Sequence, residues 1–166
     1  MLVTPAFRLF LTVAYATGAR PGEVAAITAE NFDAERGIVR LRAHKTAHKG
    51  KQRIVYLTPE LTALCRQLAA LYPEGPLLRS ATGLPWYDTC YLAECVRKLR
   101  KKLGVKGVIP YGYRHGFATD ALANGVPDAH VAELLGHSGT AMLHKHYSHL
   151  TARAQALRSA LGQVRG

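Results

Sequence analysis

The stretch Tyr111–His149, YGYRHGFATDALANGVPDAHVAELLGHSGTAMLHKHYSH, decides how this chain is read. Its apolar residues recur at helical spacing, and Gly125 and Gly136 are natural helix stops. The spacing therefore predicts helices near 111–124, 128–135 and 139–147. The polar residues gather near the ends of these segments: Arg114 with His115, His137 just past Gly136, and Tyr147 between histidines. Residues three apart share a helix face, so Tyr111 and Arg114 are neighbours, while His115 is expected to point elsewhere. Arginine holds phosphate oxygens in a fork, histidine moves protons near neutral pH, and tyrosine serves as a covalent nucleophile. The combination points to phosphate chemistry.

The remainder of the chain supplies a setting for that chemistry. The 166 residues carry a formal net charge of +11, and 48% are hydrophobic, which suits one folded domain spanning 1–166 with a polyanionic partner. Positive charge is segregated. No acidic residue lies between Glu35 and Glu60, none between Glu94 and Asp120, and none after Glu133. Within the first two gaps, Arg42, Lys49, Lys51, Arg53, Arg100, Lys101 and Lys102 are expected to face nucleic acid. Lysine and arginine at 100–102 equally suit the negative end of a helix.

Upstream, Thr4 and Pro5 start a helix over 4–16 that Gly18 ends, and a second begins at Pro21. Arg20 thus sits just before a helix N-terminus, where free N–H groups favour an anion. Residues 38–42 and 53–57 read as strands of a basic hairpin whose connection carries Lys45. Helices follow over 59–71 and 88–103, and a last one over 152–163 presents Leu157 and Leu161. The class is mainly α with a small antiparallel β-hairpin.

Cys65, Cys90 and Cys95 form no zinc-like spacing and read as free thiols in a reducing compartment. No run is long and apolar enough for a membrane span, and the apolar segment near the start carries Arg8 and ends in TGARPGE rather than a cleavage site. A cytoplasmic protein with no membrane partner is expected. His144, His146 and His149 crowd together without a familiar zinc pattern, so no metal is assigned.

TGARPGE, a basic hairpin with HKT, YRHGFAT, LLGHS and HYSHL occur in this order over almost the whole chain. In wording and order these segments resemble the catalytic domain of the tyrosine recombinases, the phage integrase family. The resemblance implies a site-specific recombinase acting on double-stranded DNA without a cofactor, through a 3′-phosphotyrosine intermediate. By position, Arg20 and Arg114 match the two arginines that hold the scissile phosphate. Lys45 matches the lysine that protonates the leaving 5′ oxygen, His137 the site occupied by His or Trp, and Tyr147 the nucleophile. Glu23 and His149 match supporting positions. Tyr111 stands where the family usually has histidine, and a phenol donates a hydrogen bond to phosphate but is a poor base near neutral pH. The resemblance begins at the catalytic domain, so the amino-terminal DNA-clamping domain of typical members is expected to be absent and DNA binding to be weak and salt-sensitive. The segment after the nucleophile often docks on a neighbour in this family, which implies self-association on DNA. The rival readings are a DNA-binding module impaired in catalysis and the related type IB topoisomerases.

Overall fold

The first helix, α1 (Pro5–Thr17), has both of its ends written in the local sequence. The Thr4 hydroxyl accepts from Phe7 N at 3.3 Å, and Pro5 takes a first-turn place where its missing N–H is no loss. Gly18 closes the helix at φ 61°, donating its N–H to Ala14 O. Phe7, Phe10, Val13 and Ala14 bury one face. The computed structural model describes residues 3–41, 52–86, 89–106, 111–147, 160–161 and 163–164.

A short helix α2 (Pro21–Ala25) follows, then three antiparallel strands in the order β1 (Phe32–Asp33), β2 (Ile38–Leu41), β3 (Arg53–Tyr56). The two strands of the expected hairpin are present. β1 was not expected, because two residues are too few to show alternation. The Asp33 carboxylate anchors it, accepting from Arg36 N at 3.0 Å and Arg40 Nη2 at 2.8 Å. Pairing of Val39 with Val55 and Leu41 with Arg53 puts all four on one face of the sheet. Val39, Leu41 and Val55 are core residues, so Arg53 is carried inward with them and is only 7% exposed. Arg53 is therefore not the surface cation that its place in a basic segment suggested.

Helix α3 (Pro59–Leu71) starts at a Thr58 cap, with the hydroxyl accepting from Leu61 N. α4 (Thr89–Leu103), α5 (Gly112–Ala123), α6 (Asp128–Leu135) and α7 (141–147) follow. Between α3 and α4 the loop delivers Trp86 into the core, its ring 5.2 Å from that of Phe10. Of the expected last helix, only 160–161 and 163–164 lie among the described residues, and they are helical. Leu157 lies outside them, as do Lys45, Arg42, Lys49, Lys51 and His149.

Apolar burial divides into two clusters. The larger joins α1, α2, β2, β3, α3, Trp86 and α4; the smaller joins Ala118 and Leu122 of α5, Val131, Ala132 and Leu135 of α6, and Leu143 of α7. Gly18 stands at the seam. A Cβ there would come within 2.7 Å of Phe117 Cδ1 and 2.9 Å of Leu135 Cδ2. Gly18→Ala is expected to destabilise the fold by about 2 kcal/mol or more, from the left-handed backbone and the clash together. Urea denaturation of the variant beside the wild type measures it.

Candidate active site

Arg20 is the residue before α2, in extended conformation. Its position is fixed by Glu23, which accepts from Arg20 N at 2.9 Å and from Arg20 Nη1 at 2.7 Å. This carboxylate is buried, at 4% exposure, and also receives Arg53 Nη2 at 3.2 Å. Burial by itself would raise the Glu23 pKa. The Arg53 charge and the hydrogen bonds from Arg20 and Arg53 outweigh it and hold the group at about 2. A third of the Arg20 side chain remains open, 30% by area.

The rest of the Arg53 guanidinium reaches across the seam. Nη1 donates to Ile54 O at 2.6 Å and Glu133 O at 3.3 Å, and Nη2 donates to Leu134 O at 2.9 Å. Arg114 makes a second crossing. It donates to Gly18 O at 2.6 Å on one side and to Leu135 O at 2.5 Å on the other. The last carbonyls of a helix lack intrahelical partners and carry the negative end of its dipole. Here two guanidinium groups satisfy those of α6.

His137 is placed by the way α6 ends. Gly136 adopts φ 65°, with its N–H on Glu133 O and the His137 N–H on Ala132 O, the paired bonds of a Schellman motif. A side chain at 136 is excluded twice over, since a Cβ would lie 2.6 Å from Arg53 Nε. Arg114 Nη2 lies 3.1 Å from His137 Nε2. Arginine has no acceptor, so Nε2 accepts and the ring proton sits on Nδ1. That Nδ1 is buried with no hydrogen-bond partner among the described residues. Burial first, and then the charges of Arg114, Arg20 and Arg53, depress His137 to about 4. The imidazole is neutral near pH 7. Burial and Arg20 likewise lower Arg114 to about 10, which leaves it cationic.

Arg20, Arg53 and His137 line a cleft of about 680 Å³ with Ser138 and Thr140. Tyr111 is the residue before α5 and is 39% exposed. Tyr147, in α7, packs against the smaller apolar cluster. Burial raises its phenol pKa while the Arg114 charge opposes the rise, so Tyr147 lies within the field of the site. Its hydroxyl is hydrogen-bonded to Nδ1 of His115. His115 does leave the Arg114 face, as the helical spacing requires, but what it meets is Tyr147.

The structure thus brings Arg20, Glu23, Arg114 and His137 together, with Tyr147 beside them. Lys45 and His149 fall outside the described residues. Arg100, Lys101 and Lys102 form the last turn of α4, the latter two exposed. Sequence reasoning missed the linking role of Arg53 and the contact made by His115. Strand alternation with Val55 was the available signal for Arg53. It also missed Tyr113, whose hydroxyl donates to Ala19 O at 2.6 Å and whose pKa is raised by burial.

The model of the Phage integrase family matches residues 6–153. Tyrosine recombinase XerA of Pyrococcus furiosus is 28% identical over 166 residues, covering 93% of this chain and 57% of the relative. Tyrosine recombinase XerD of Staphylococcus aureus is 32% identical over 152 residues, covering 85% and 50%. The chain spans about half the length of the curated relatives it matches. The crystal structure of XerA recombinase has a TM-score of 0.69 at 28% identity, over 98% of this chain and 59% of that one.

Because folding lowers the Glu23 pKa from an ordinary 4.5 to about 2, its stabilisation is present above about pH 4.5 and is lost as pH falls towards 2. The difference corresponds to about 3 kcal/mol. Glu23→Gln is expected to lose roughly that much at pH 7 and to show a flatter decline in stability below pH 4.5. Denaturant unfolding across pH measures both effects.

Proposed function

The chain belongs to the phage integrase family, the tyrosine recombinases, and on that premise we propose that it cuts and rejoins DNA through Tyr147. The observation that supports this most is the shared electrostatic neighbourhood of Arg20, Arg114 and His137, into which the charge of Arg114 brings Tyr147. A phosphodiester is shielded by its own negative charge, so catalysis relies on positioning and on charge stabilisation. Arg20 and Arg114 hold the non-bridging oxygens. A phosphate arriving beside His137 raises its proton affinity, so that the ring gives up its acceptor role toward Arg114 and becomes a donor to phosphate. Forming a phenolate at neutral pH costs roughly 4 kcal/mol for a free tyrosine, and the Arg114 charge reduces that cost.

Attack by Tyr147 Oη on phosphorus gives a 3′-phosphotyrosine bond and releases a 5′ hydroxyl, protonated by Lys45. The ester energy stays in the intermediate. A second 5′ hydroxyl displaces the tyrosine, and no nucleotide cofactor is consumed. The basic surface, including Lys101 and Lys102, binds the DNA backbone. Exposed Leu161 and Val164 (59% and 82%) support docking between copies on DNA. A second reading, a module that binds DNA without cleaving it, draws on Tyr111 in the place of the usual histidine.

The test is a covalent adduct. Nicked duplexes from a randomised pool, enriched by rounds of covalent capture, are expected to yield a denaturation-resistant protein–DNA species that Tyr147→Phe abolishes. Arg20→Ala is expected to slow its formation at least 10²-fold. Tyr111→Phe is expected to slow it about tenfold, by the loss of one hydrogen bond to phosphate. No capture by the wild type favours the second reading, whereas unchanged capture by Tyr147→Phe would place the nucleophile at another residue.

A further inference from the structure

We propose that His115 is the proton acceptor for Tyr147 during attack, so that the base comes from the residue after the arginine and not from the position now held by Tyr111. The inference rests on the reading of Tyr147 as nucleophile and deepens it. His115 lies in the first turn of α5 and Tyr147 at the end of the described part of α7, yet His115 Nδ1 and the phenol oxygen are directly hydrogen-bonded. Their rings are 6.0 Å apart and tilted by 46°.

Directionality follows from chemistry. A phenol with its proton donates, and a neutral imidazole accepts at the nitrogen that carries no hydrogen. Tyr147 therefore donates to Nδ1, and the ring hydrogen of His115 is on Nε2. His115 is exposed, so an imidazolium formed there is solvated and can hold the proton until rejoining. The other groups are less suited. Tyr111 is a phenol, and His137 turns its lone pair toward Arg114 in a site that holds it at about 4. Among the described residues, the charged and titratable groups facing the pair include Arg114 from α5, which favours the phenolate, and His146 from α7, its ring 6.3 Å from that of Tyr147.

The step balances. The Oη–H bond of Tyr147 breaks as Nδ1–H forms on His115, and Oη bonds to phosphorus as the bond to the 5′ oxygen breaks. The proton for that leaving oxygen comes from Lys45. In rejoining, the His115 imidazolium returns its proton to Tyr147 as the phenolate leaves.

The experiment uses the 166-residue chain and the duplexes captured by the wild type. His115→Ala and His115→Asn are compared for adduct formation across pH, with and without added imidazole. Asparagine keeps a polar group near the place of Nδ1 but cannot take a proton. Both variants are expected to be slowed about 10²-fold or more and to lose an ionisation in which the wild-type rate rises with pH. Imidazole is expected to restore part of the alanine variant's rate. Because His115 is exposed, circular dichroism should show both variants folded. His115→Asn at the wild-type rate with the wild-type pH profile would overturn the proposal. So would faster adduct formation by His115→Ala, which would mean that the bond restrains the nucleophile. The two readings fail separately: a wild type that forms no adduct defeats the reading of Tyr147, whereas an adduct independent of His115 defeats only the proton acceptor.

Discussion

A guanidinium taken out of water must find acceptors, and Arg53 finds them on both sides of the molecule. Glu23 holds it on the side of the larger core, and the final carbonyls of α6 hold it on the side of the smaller one. Removing one partner of such a buried pair costs about 3–5 kcal/mol, whereas an exposed pair such as Arg97 with Glu94 contributes little. The seam between the clusters is therefore held as much by these polar contacts as by apolar packing. Arg20 owes its position to the same carboxylate, and Gly136 owes its lack of a side chain partly to the Arg53 stem lying against it.

The same contacts explain how the site tolerates its own charge. Arg20, Arg53 and Arg114 crowd together with Glu23 as their buried counter-ion. The negative end of α6 supplies further compensation through carbonyl dipoles. His137 remains neutral near pH 7 in this environment.

Much of this was legible before any coordinates. The caps at Thr4 and Thr58, the stops at Gly18 and Gly136 and the apolar spacing mark helix ends to within a residue or two, because those signals are local. The grouping of Arg20, Glu23, Arg114 and His137 came from motif order, which stands in for tertiary information. Arg53 was misplaced because local composition was weighed above strand alternation, although Val55 two residues on pointed the right way. β1 is held by an aspartate and two arginines, which periodicity does not register. The contact between His115 and Tyr147 was out of reach. A helical wheel tells which face a residue leaves, and only the packing of α7 tells what it meets there.

The crossings made by the two arginines also set when the cluster of cations comes into being. Arg114 reaches back 96 residues to Gly18 O, and Arg53 reaches forward 81 to Leu134 O. Contacts of that span close late, after the entropy of long loops has been lost. A chain emerging from the ribosome holds Arg20 and Arg53 long before α6 exists to receive them. A nascent or partly opened chain thus carries the cations of the cluster but not their arrangement, which arrives together with the finished tertiary structure.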